Sequence, residues 1–318
     1  VNEESISTIY HKPVLLNEAL QALAIQRDGL YVDGTFGRGG HAQAILAELS
    51  DEGRLLGVDK DPEAIVAGQI LAQRDRRFSI VQASIKDLAR IIEQKGWLER
   101  VNGVLLDLGV SSPQLEDTQR GFSFLRDGPL DMRMNPDVGM SAARWLAHAR
   151  ENEIIDVLKN YGEERYYRRI ARAIVQARKI KPLTRTKQLA EVVAKANPNW
   201  EPGKHPATRS FQAIRIFINN ELEELGAALE QAVTILAVKG RLAVISFHSL
   251  EDRIVKRFFK HKSYDNNFPL DLPIMSNNLR PKLEVLSKPI KPNSDEIIHN
   301  PRARSSKLRV AKKIAHIE

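Results

Sequence analysis

The chain has 318 residues, 42% of them hydrophobic, enough for one large domain or two ordinary ones with a buried core. It carries 48 Lys and Arg against 40 Asp and Glu, a net charge of +8 that suits a polyanionic partner and equally a basic surface without one. There is no cysteine, which excludes disulfides, thiolate-bound zinc and thiol nucleophiles and makes a reducing cytosol the natural setting.

At the start, Val1-Asn2-Glu3-Glu4 shows neither the basic nor the apolar part of a secretory signal, and no apolar run further on approaches the ~18 residues of a membrane span. Pro13 suits a helix start, and Val14, Leu15, Glu18, Ala19 and Leu20 make a short amphipathic helix; His11 lines a site or is a surface histidine. Tyr31-Val32-Asp33 reads as an apolar strand ending in a carboxylate. Gly34, Gly37, Gly39 and Gly40 turn the chain into a helical pattern, Ala42–Ala47. Strand, glycine turn and helix N-terminus together form a cofactor cradle, because glycine permits positive φ and a helix start offers free N–H groups.

Arg54–Asp59 is a second buried strand that also ends in an acid, and Asp59 lies 20 residues after Gly39, the spacing at which a carboxylate takes ribose hydroxyls in a βαβ unit. Asp61 caps the next helix with Pro62 at its first position. Phe78–Val81 is a third strand, a helix runs through Leu88, Ile91 and Ile92, and Val101–Gly109 is a fourth strand with Asp107 near its end. Strands alternating with helices, with acids gathered at strand ends, predict a doubly wound α/β sheet and a nucleoside site.

The alternation stops after Ser111-Ser112-Pro113-Gln114. Helical periodicity then gives candidate helices at 141–149, 151–160, 163–179 and 185–196, before Pro198, Pro202, Gly203 and Pro206 mark a loop. The predicted organisation is a discontinuous sheet domain, 1–114 and 207–318, with an inserted helical substrate-recognition domain, 115–206. The third inserted helix carries Arg165, Arg168, Arg169 and Arg172 with Tyr166 and Tyr167 between them. That pattern is either a solvated face or a contact for phosphates and bases. Residues 207–237 form one long helix or two, with Arg209 on the polar face. Arg241–Phe247 returns to the sheet, and Ser249 and Asp252 have capping-box spacing. Residues 263–300 look loop-like, and the basic tail from Arg302 and Arg304 to Arg309 and Val310 is a last edge strand or a nucleic-acid arm.

Gly37-x-Gly39-x-x-Ala42 fits a loose dinucleotide fingerprint, but an acid at the first strand end repels a pyrophosphate. S-adenosylmethionine has an ammonium and a sulfonium and no phosphate, so Coulomb attraction to Asp33 and Asp107 favours it, with Asp59 for the ribose. A nicotinamide dehydrogenase is the rival enzyme and a non-catalytic rRNA-binding assembly factor the rival outside catalysis. No His-x-x-x-His or carboxylate cluster has ligand spacing, so no metal is expected at the cofactor.

Seven strings, Asp33-Gly-Thr-Phe-Gly-Arg-Gly-Gly-His41, Asp107-Leu-Gly-Val-Ser-Ser-Pro-Gln-Leu115, Arg120-Gly-Phe-Ser-Phe124, Gly128-Pro-Leu-Asp-Met-Arg-Met134, His205-Pro-Ala-Thr-Arg-Ser-Phe-Gln212, Ser246-Phe-His-Ser-Leu-Glu-Asp-Arg253 and Asn300-Pro-Arg-Ala-Arg-Ser-Ser306, span nearly the whole chain. In them the sequence resembles the bacterial 16S rRNA cytosine-N4 methyltransferases, the RsmH or MraW family. The resemblance implies a class I, Rossmann-like S-adenosylmethionine methyltransferase sheet with an inserted all-helical domain, and N4-methylation of a cytidine in the decoding (P-site) region of 16S rRNA. It also implies a cytoplasmic enzyme acting on the small ribosomal subunit, with a homodimer as the family-level expectation. It places cofactor contacts on Gly39, Gly40, His41, Asp59, Asp107 and Gln114, with Ile85 where the family commonly has an aromatic residue beside the adenine. The exocyclic amine of cytidine is a weak nucleophile that needs positioning and an acceptor for a proton. His248 is the expected acceptor, with Ser111 and Ser112 in the loop after the fourth strand. Arg165, Arg168, Arg169, Arg172, Arg209, Arg302 and Arg304 are the expected RNA contacts. Phe122 and Phe124 either stack on bases or anchor the inserted domain.

Overall fold

The structure, a computed structural model, describes residues 13–200, 203, 205–264 and 281–315; His11 and Pro202 lie outside the described residues. In chain order the elements are α1 (Leu16–Leu23), β1 (Leu30–Asp33), α2 (Gly40–Glu48), β2 (Arg54–Asp59), α3 (Pro62–Arg74), β3 (Phe78–Gln82), α4 (Leu88–Gln94) and β4 (Val101–Asp107). Then come α5 (Ser112–Glu116), α6 (Ala142–His148), α7 (Glu151–Gly162), α8 (Tyr167–Ile180), α9 (Thr186–Ala196), α10 (Thr208–Asn219) and α11 (Glu221–Ile235). The chain closes with β5 (Leu236–Ser246), α12 (Ser249–Ser263), β6 (Leu283–Val285), α13 (Ser294–His299) and β7 (Lys307–Lys313).

Chain contacts divide into two units, the described residues of Val1–Gly109 with Glu224–Glu318, and Val110–Glu223. In the first, seven strands are ordered β3-β2-β1-β4-β5-β7-β6; the first five are parallel, and β7 pairs antiparallel with both β5 and β6. Strand side chains alternate between two cores. Val32, Leu56, Val104, Leu106 and Val244 pack with Leu88, Ile92, Leu229 and Val255 of the helices α4, α11 and α12. Tyr31, Leu55, Leu105, Ala243 and Ile245 pack with Ala19, Leu23, Ala42 and Ile45 of α1 and α2. Both faces are covered, so these strands read as continuous apolar runs rather than alternating ones.

Several expectations change in detail. The first helix begins at Leu16, not at Pro13, because Leu15 takes the left-handed conformation (φ 53°) and its N–H donates to Glu296 Oε1 at 2.6 Å. The strand expected from Arg241 begins at Leu236, with a register shift between its pairings to Val101 and Gly103. The stretch 263–300 contains β6 and α13 in its described part. The basic tail is no edge: β7 lies inside the sheet, and β6 is the edge.

In the helical unit, Trp145, Leu146, Ile154, Leu158, Ile170, Ile174, Leu189, Val193, Phe211 and Ile214 form one core. That core is why the insertion is wider than 115–206. The apolar stripe of α10 is part of it, so 207–219 belongs with the helices and not with the sheet. Of the one or two helices expected over 207–237 the structure has two, α10 and α11, separated at Asn220, which is left-handed (φ 52°). Phe122 is buried in this core, and Phe124 packs between His205 (ring centroids 4.6 Å) and Phe211 (5.0 Å), so both anchor the unit.

Candidate active site

The cradle is built by hydrogen bonds that pin the glycine turn to two neighbouring strands. The Gly34 N–H donates to Leu105 O (2.9 Å) and the Phe36 N–H to Val58 O (3.1 Å). The Gly37 N–H donates to Asp59 Oδ2 (2.8 Å), so Asp59 holds the turn from β2 as well as ending that strand. Gly39 is the N-cap of α2 at φ 77°, and a side chain there would run into the Phe36 ring. Gly40 has ordinary backbone, but a Cβ would come within 2.4 Å of Pro13. Those two positions need glycine for different reasons, one conformational and one steric. No side chain caps α2, so its first N–H groups carry their positive end into the cradle.

Three acids stand at adjacent strand ends, as expected. Asp33 is buried on β1, where its Oδ1 accepts the Thr35 N–H (3.2 Å). Burial raises its pKa to about 7, against the pull of that N–H and with help from the Asp59 charge. Burial also raises Asp59, against the N–H groups of Asp61 and Gly37. Asp107 is raised well above the ordinary carboxylate range, by burial first and then by the charges of Asp33 and Glu251. Its Oδ1 is buried with no hydrogen-bond partner among the described residues. An unpaired buried acceptor is costly, and negative charges crowded in low dielectric repel. Both penalties are relieved by a bound cation or donor, so the cradle fits a ligand with positive charge and misfits a pyrophosphate.

His41 faces Asp107 from the first turn of α2. Its Nε2 lies 3.1 Å from Val14 O and its Nδ1 3.7 Å from Asp107 Oδ2. Burial lowers its pKa to about 4, against the Val14 carbonyl, so the ring is neutral at physiological pH. A neutral ring donating to Val14 keeps its lone pair on Nδ1, toward Asp107. Thr35 was not foreseen. Its Oγ1 accepts the Asp107 N–H at 2.6 Å and so ties the end of β4 to the turn after β1. The signal was a hydroxyl two residues beyond a strand-end acid. Ile85, half-buried after β3, packs against the core on the α4 side and presents an aliphatic surface.

The turn after β5 corrects two expectations. The capping box of α12 is His248 with Glu251, not Ser249 with Asp252. Glu251 Oε2 accepts the N–H groups of Phe247 (2.8 Å) and His248 (3.3 Å), while His248 Nδ1 accepts the Glu251 N–H (3.4 Å). Its Nε2 lies 3.2 Å from Glu251 Oε1, without hydrogen-bond alignment. The ring's lone pair is engaged in the cap and its other nitrogen faces a carboxylate. His248 therefore positions this turn and is not placed as a free proton acceptor. Asp252, the residue expected in the box, instead binds Lys307 Nζ (2.8 Å) and Arg309 Nε (2.7 Å). Arg309 is thus committed within the sheet unit, whereas Arg302 and Arg304 are exposed in a short 3₁₀ turn, Pro301–Ser305.

Ser111, Ser112 and Gln114 fall in the helical unit. Ser111 is the N-cap of α5, with its N–H donating to Gln114 Oε1 (2.9 Å) and its Oγ accepting the Gln114 N–H (3.4 Å). Arg165, Arg168, Arg169 and Arg172 are exposed. Arg165 precedes α8 rather than lying on it, and it sits over the Tyr166 ring at 5.6 Å, as Arg168 does over Tyr167 at 5.8 Å. Arg209 donates to Glu163 O, the carbonyl at the end of α7. Sequence reasoning missed Asn219, buried in this unit: its Nδ2 donates to Met132 O (2.7 Å) and its Oδ1 accepts the Met134 N–H (2.7 Å), fixing an irregular loop that periodicity does not register.

The model of the MraW methylase family matches residues 8–314. A relative from Nitrosococcus oceani described as ribosomal RNA small subunit methyltransferase H is 74% identical over 304 residues, 95% of this chain and 96% of that protein. A relative of the same description from Coxiella burnetii is 54% identical over 305 residues, 96% of this chain and 99% of that protein. The glycine turn, the three strand-end acids and the His248 turn all lie inside the matched span, and the chain belongs to the MraW methylase family.

Proposed function

We propose that this protein transfers a methyl group from S-adenosylmethionine to the N4 amine of one cytidine in the decoding (P-site) region of 16S rRNA, in the bacterial cytoplasm. The observation that carries the reading is the pair Asp33 and Asp107, carboxylates at adjacent strand ends, the first buried and the second half-buried with one buried acceptor oxygen that no described residue satisfies. S-adenosylmethionine supplies an electrophilic methyl on a sulfonium when bound. Its two positive groups answer the crowded carboxylates, and it brings no phosphate for them to repel. Asp59 serves the ribose hydroxyls, Gly39, Gly40 and His41 at the start of α2 contact the ligand, and Ile85 covers the flat face of the adenine. The small-subunit rRNA substrate comes from what the curated relatives are described as doing, and the N4 position from the sequence resemblance.

The chemical task of the chain is orientation. The cytidine amine must be held in line with the methyl and lose one proton as the new C–N bond forms. The N-methylated cation is acidic, so no strong base is required. Ser111 and Ser112 are proposed to accept from the amine protons on the strength of their place in the matched string from Asp107 to Leu115. A base in folded RNA must be splayed out to be reached.

The test is methyl transfer from labelled S-adenosylmethionine to small ribosomal subunits from a strain lacking this protein, with the product nucleoside identified by mass spectrometry. N4-methylated cytidine at a single site is expected. Tight rRNA binding with no transfer to subunits or free rRNA would replace this reading with a non-catalytic assembly role.

A further inference from the structure

The helical unit carries a groove of about 330 Å³ lined by Arg169, Ala173 and Ala177 of α8 and by Val192, Lys195 and Ala196 of α9; of these only Arg169 has a role above. Its origin lies in the helix pattern. Ile170 and Ile174 of α8 and Leu189 and Val193 of α9 are buried and close the seam between the two helices. One step round from that seam the residues are Ala173 and Ala177, a turn apart, facing Val192 and Ala196, also a turn apart. Side chains this short leave a trough where longer ones would meet across it.

The walls of the trough are cationic. Arg169 and Lys195 are exposed and make no ion pair among the described residues, and no acid lines the groove. Glu191, one turn before Lys195 on α9, is exposed and outside the lining. Arg165, before α8, and Arg168 and Arg172 on it extend the positive charge; of these only Arg172 makes an ion pair among the described residues, with Glu151 at 3.8 Å. The stacked pairs Arg165–Tyr166 and Arg168–Tyr167 flank the same helix start with flat faces. An apolar floor between two unpaired cations matches one unit of a nucleic acid strand, which pairs an apolar base or sugar face with a phosphate.

We propose that this groove seats one unpaired nucleotide of the RNA substrate other than the cytidine that is methylated, with base or sugar against the alanine floor and phosphate between Arg169 and Lys195. The proposal rests on the reading of the substrate as small-subunit rRNA and assigns part of that strand to Ala173, Ala177, Val192, Lys195 and Ala196.

Two variants of the full chain separate the floor from the walls. Arg169→Gln/Lys195→Gln should lower the slope of log affinity against log salt for protein-free 16S rRNA by about 1.4 if both cations meet phosphates. Ala173→Leu/Ala177→Leu fills the trough with good helix formers and keeps every charge. It should raise KM for unmodified small subunits about 10-fold, the lower part of the range for one lost stacking contact, and leave the salt slope unchanged. Both should keep S-adenosylmethionine affinity. Wild-type protein that transfers no methyl overturns the substrate reading itself. Active wild type with both variants indistinguishable from it overturns the groove alone. A loss seen on intact subunits but absent on protein-free rRNA also overturns it, and assigns the groove to an acidic protein of the subunit.

Discussion

The two units hold their charges in opposite ways. In the sheet unit the groups proposed for the cofactor are acids, buried or half-buried, at strand ends, with pKa values pushed up by desolvation and by neighbouring carboxylates. In the helical unit the groups proposed for RNA are arginines, exposed, on and beside one helix, two of them over aromatic rings. Buried like charges suit a small cation that is bound once and tightly enclosed, because low dielectric magnifies each contact. Exposed like charges suit a long polyanion that is gripped through many screened contacts. The difference teaches that burial and charge sign together separate the proposed cofactor cradle from the proposed strand-binding surface.

The sharpest way to break this comparison is at Asp107. Asp107→Asn should weaken S-adenosylmethionine by about 10- to 150-fold, the worth of a hydrogen bond to a charged group, with calorimetric titration as the check. The ligand-free variant should melt no lower than wild type, since the substitution removes a buried charge. In the helical unit the largest effect should come from a neutral residue. Asn219→Ala leaves Met132 O and Met134 N–H without their partner and should cost about 2–3 kcal/mol in denaturant unfolding, with cofactor affinity unchanged.

A third effect is a pH dependence of defined sign. Asp33 has a folded-state pKa of about 7, above the 3.8 of a free aspartate, so between those values the folded protein holds a proton that the unfolded chain has released. Stability from this group is therefore fully present at low pH and is lost as pH rises through about 7. Asp33→Asn should remove that slope, measured as the difference in melting temperature from wild type between pH 5 and 8. Binding of a cation runs the other way, so the thermal shift given by S-adenosylmethionine should grow over the same rise in pH. The smallest effect belongs to the exposed arginines. Arg165→Gln/Arg168→Gln/Arg172→Gln should flatten the salt dependence of rRNA binding by about 2 in the log–log slope if each meets a phosphate, with little change in stability.

Much of the sheet unit was legible because its signals are local. Apolar runs ending in Asp33, Asp59 and Asp107, and glycines at fixed offsets, are short-range patterns, and the structure puts them at adjacent strand ends. What escaped depends on partners distant in sequence. Thr35 matters because of Asp107, and the start of the first helix is delayed by a bond from Leu15 to Glu296. The cap at His248 was misplaced by one residue because Ser249 is the stronger cap former in isolation, whereas the imidazole accepts in place of a hydroxyl. The domain boundary was drawn at the proline-rich loop before α10, while the packing of Phe211 and Ile214 assigns that helix to the other core. Arg309 looked like part of a binding arm until Asp252 appeared beside it.

The central claim is that the two charge systems do separate tasks, and one pair of variants tests it. S-adenosylmethionine affinity and 16S rRNA affinity would be measured side by side for Asp107→Asn and for Arg165→Gln/Arg168→Gln/Arg172→Gln. The account predicts a crossed result: the acid variant loses the cofactor and keeps the RNA, and the arginine variant weakens the RNA and keeps the cofactor. If Asp107→Asn binds S-adenosylmethionine as wild type does, or if both variants lose both ligands together while still folded, the division of labour described above is wrong.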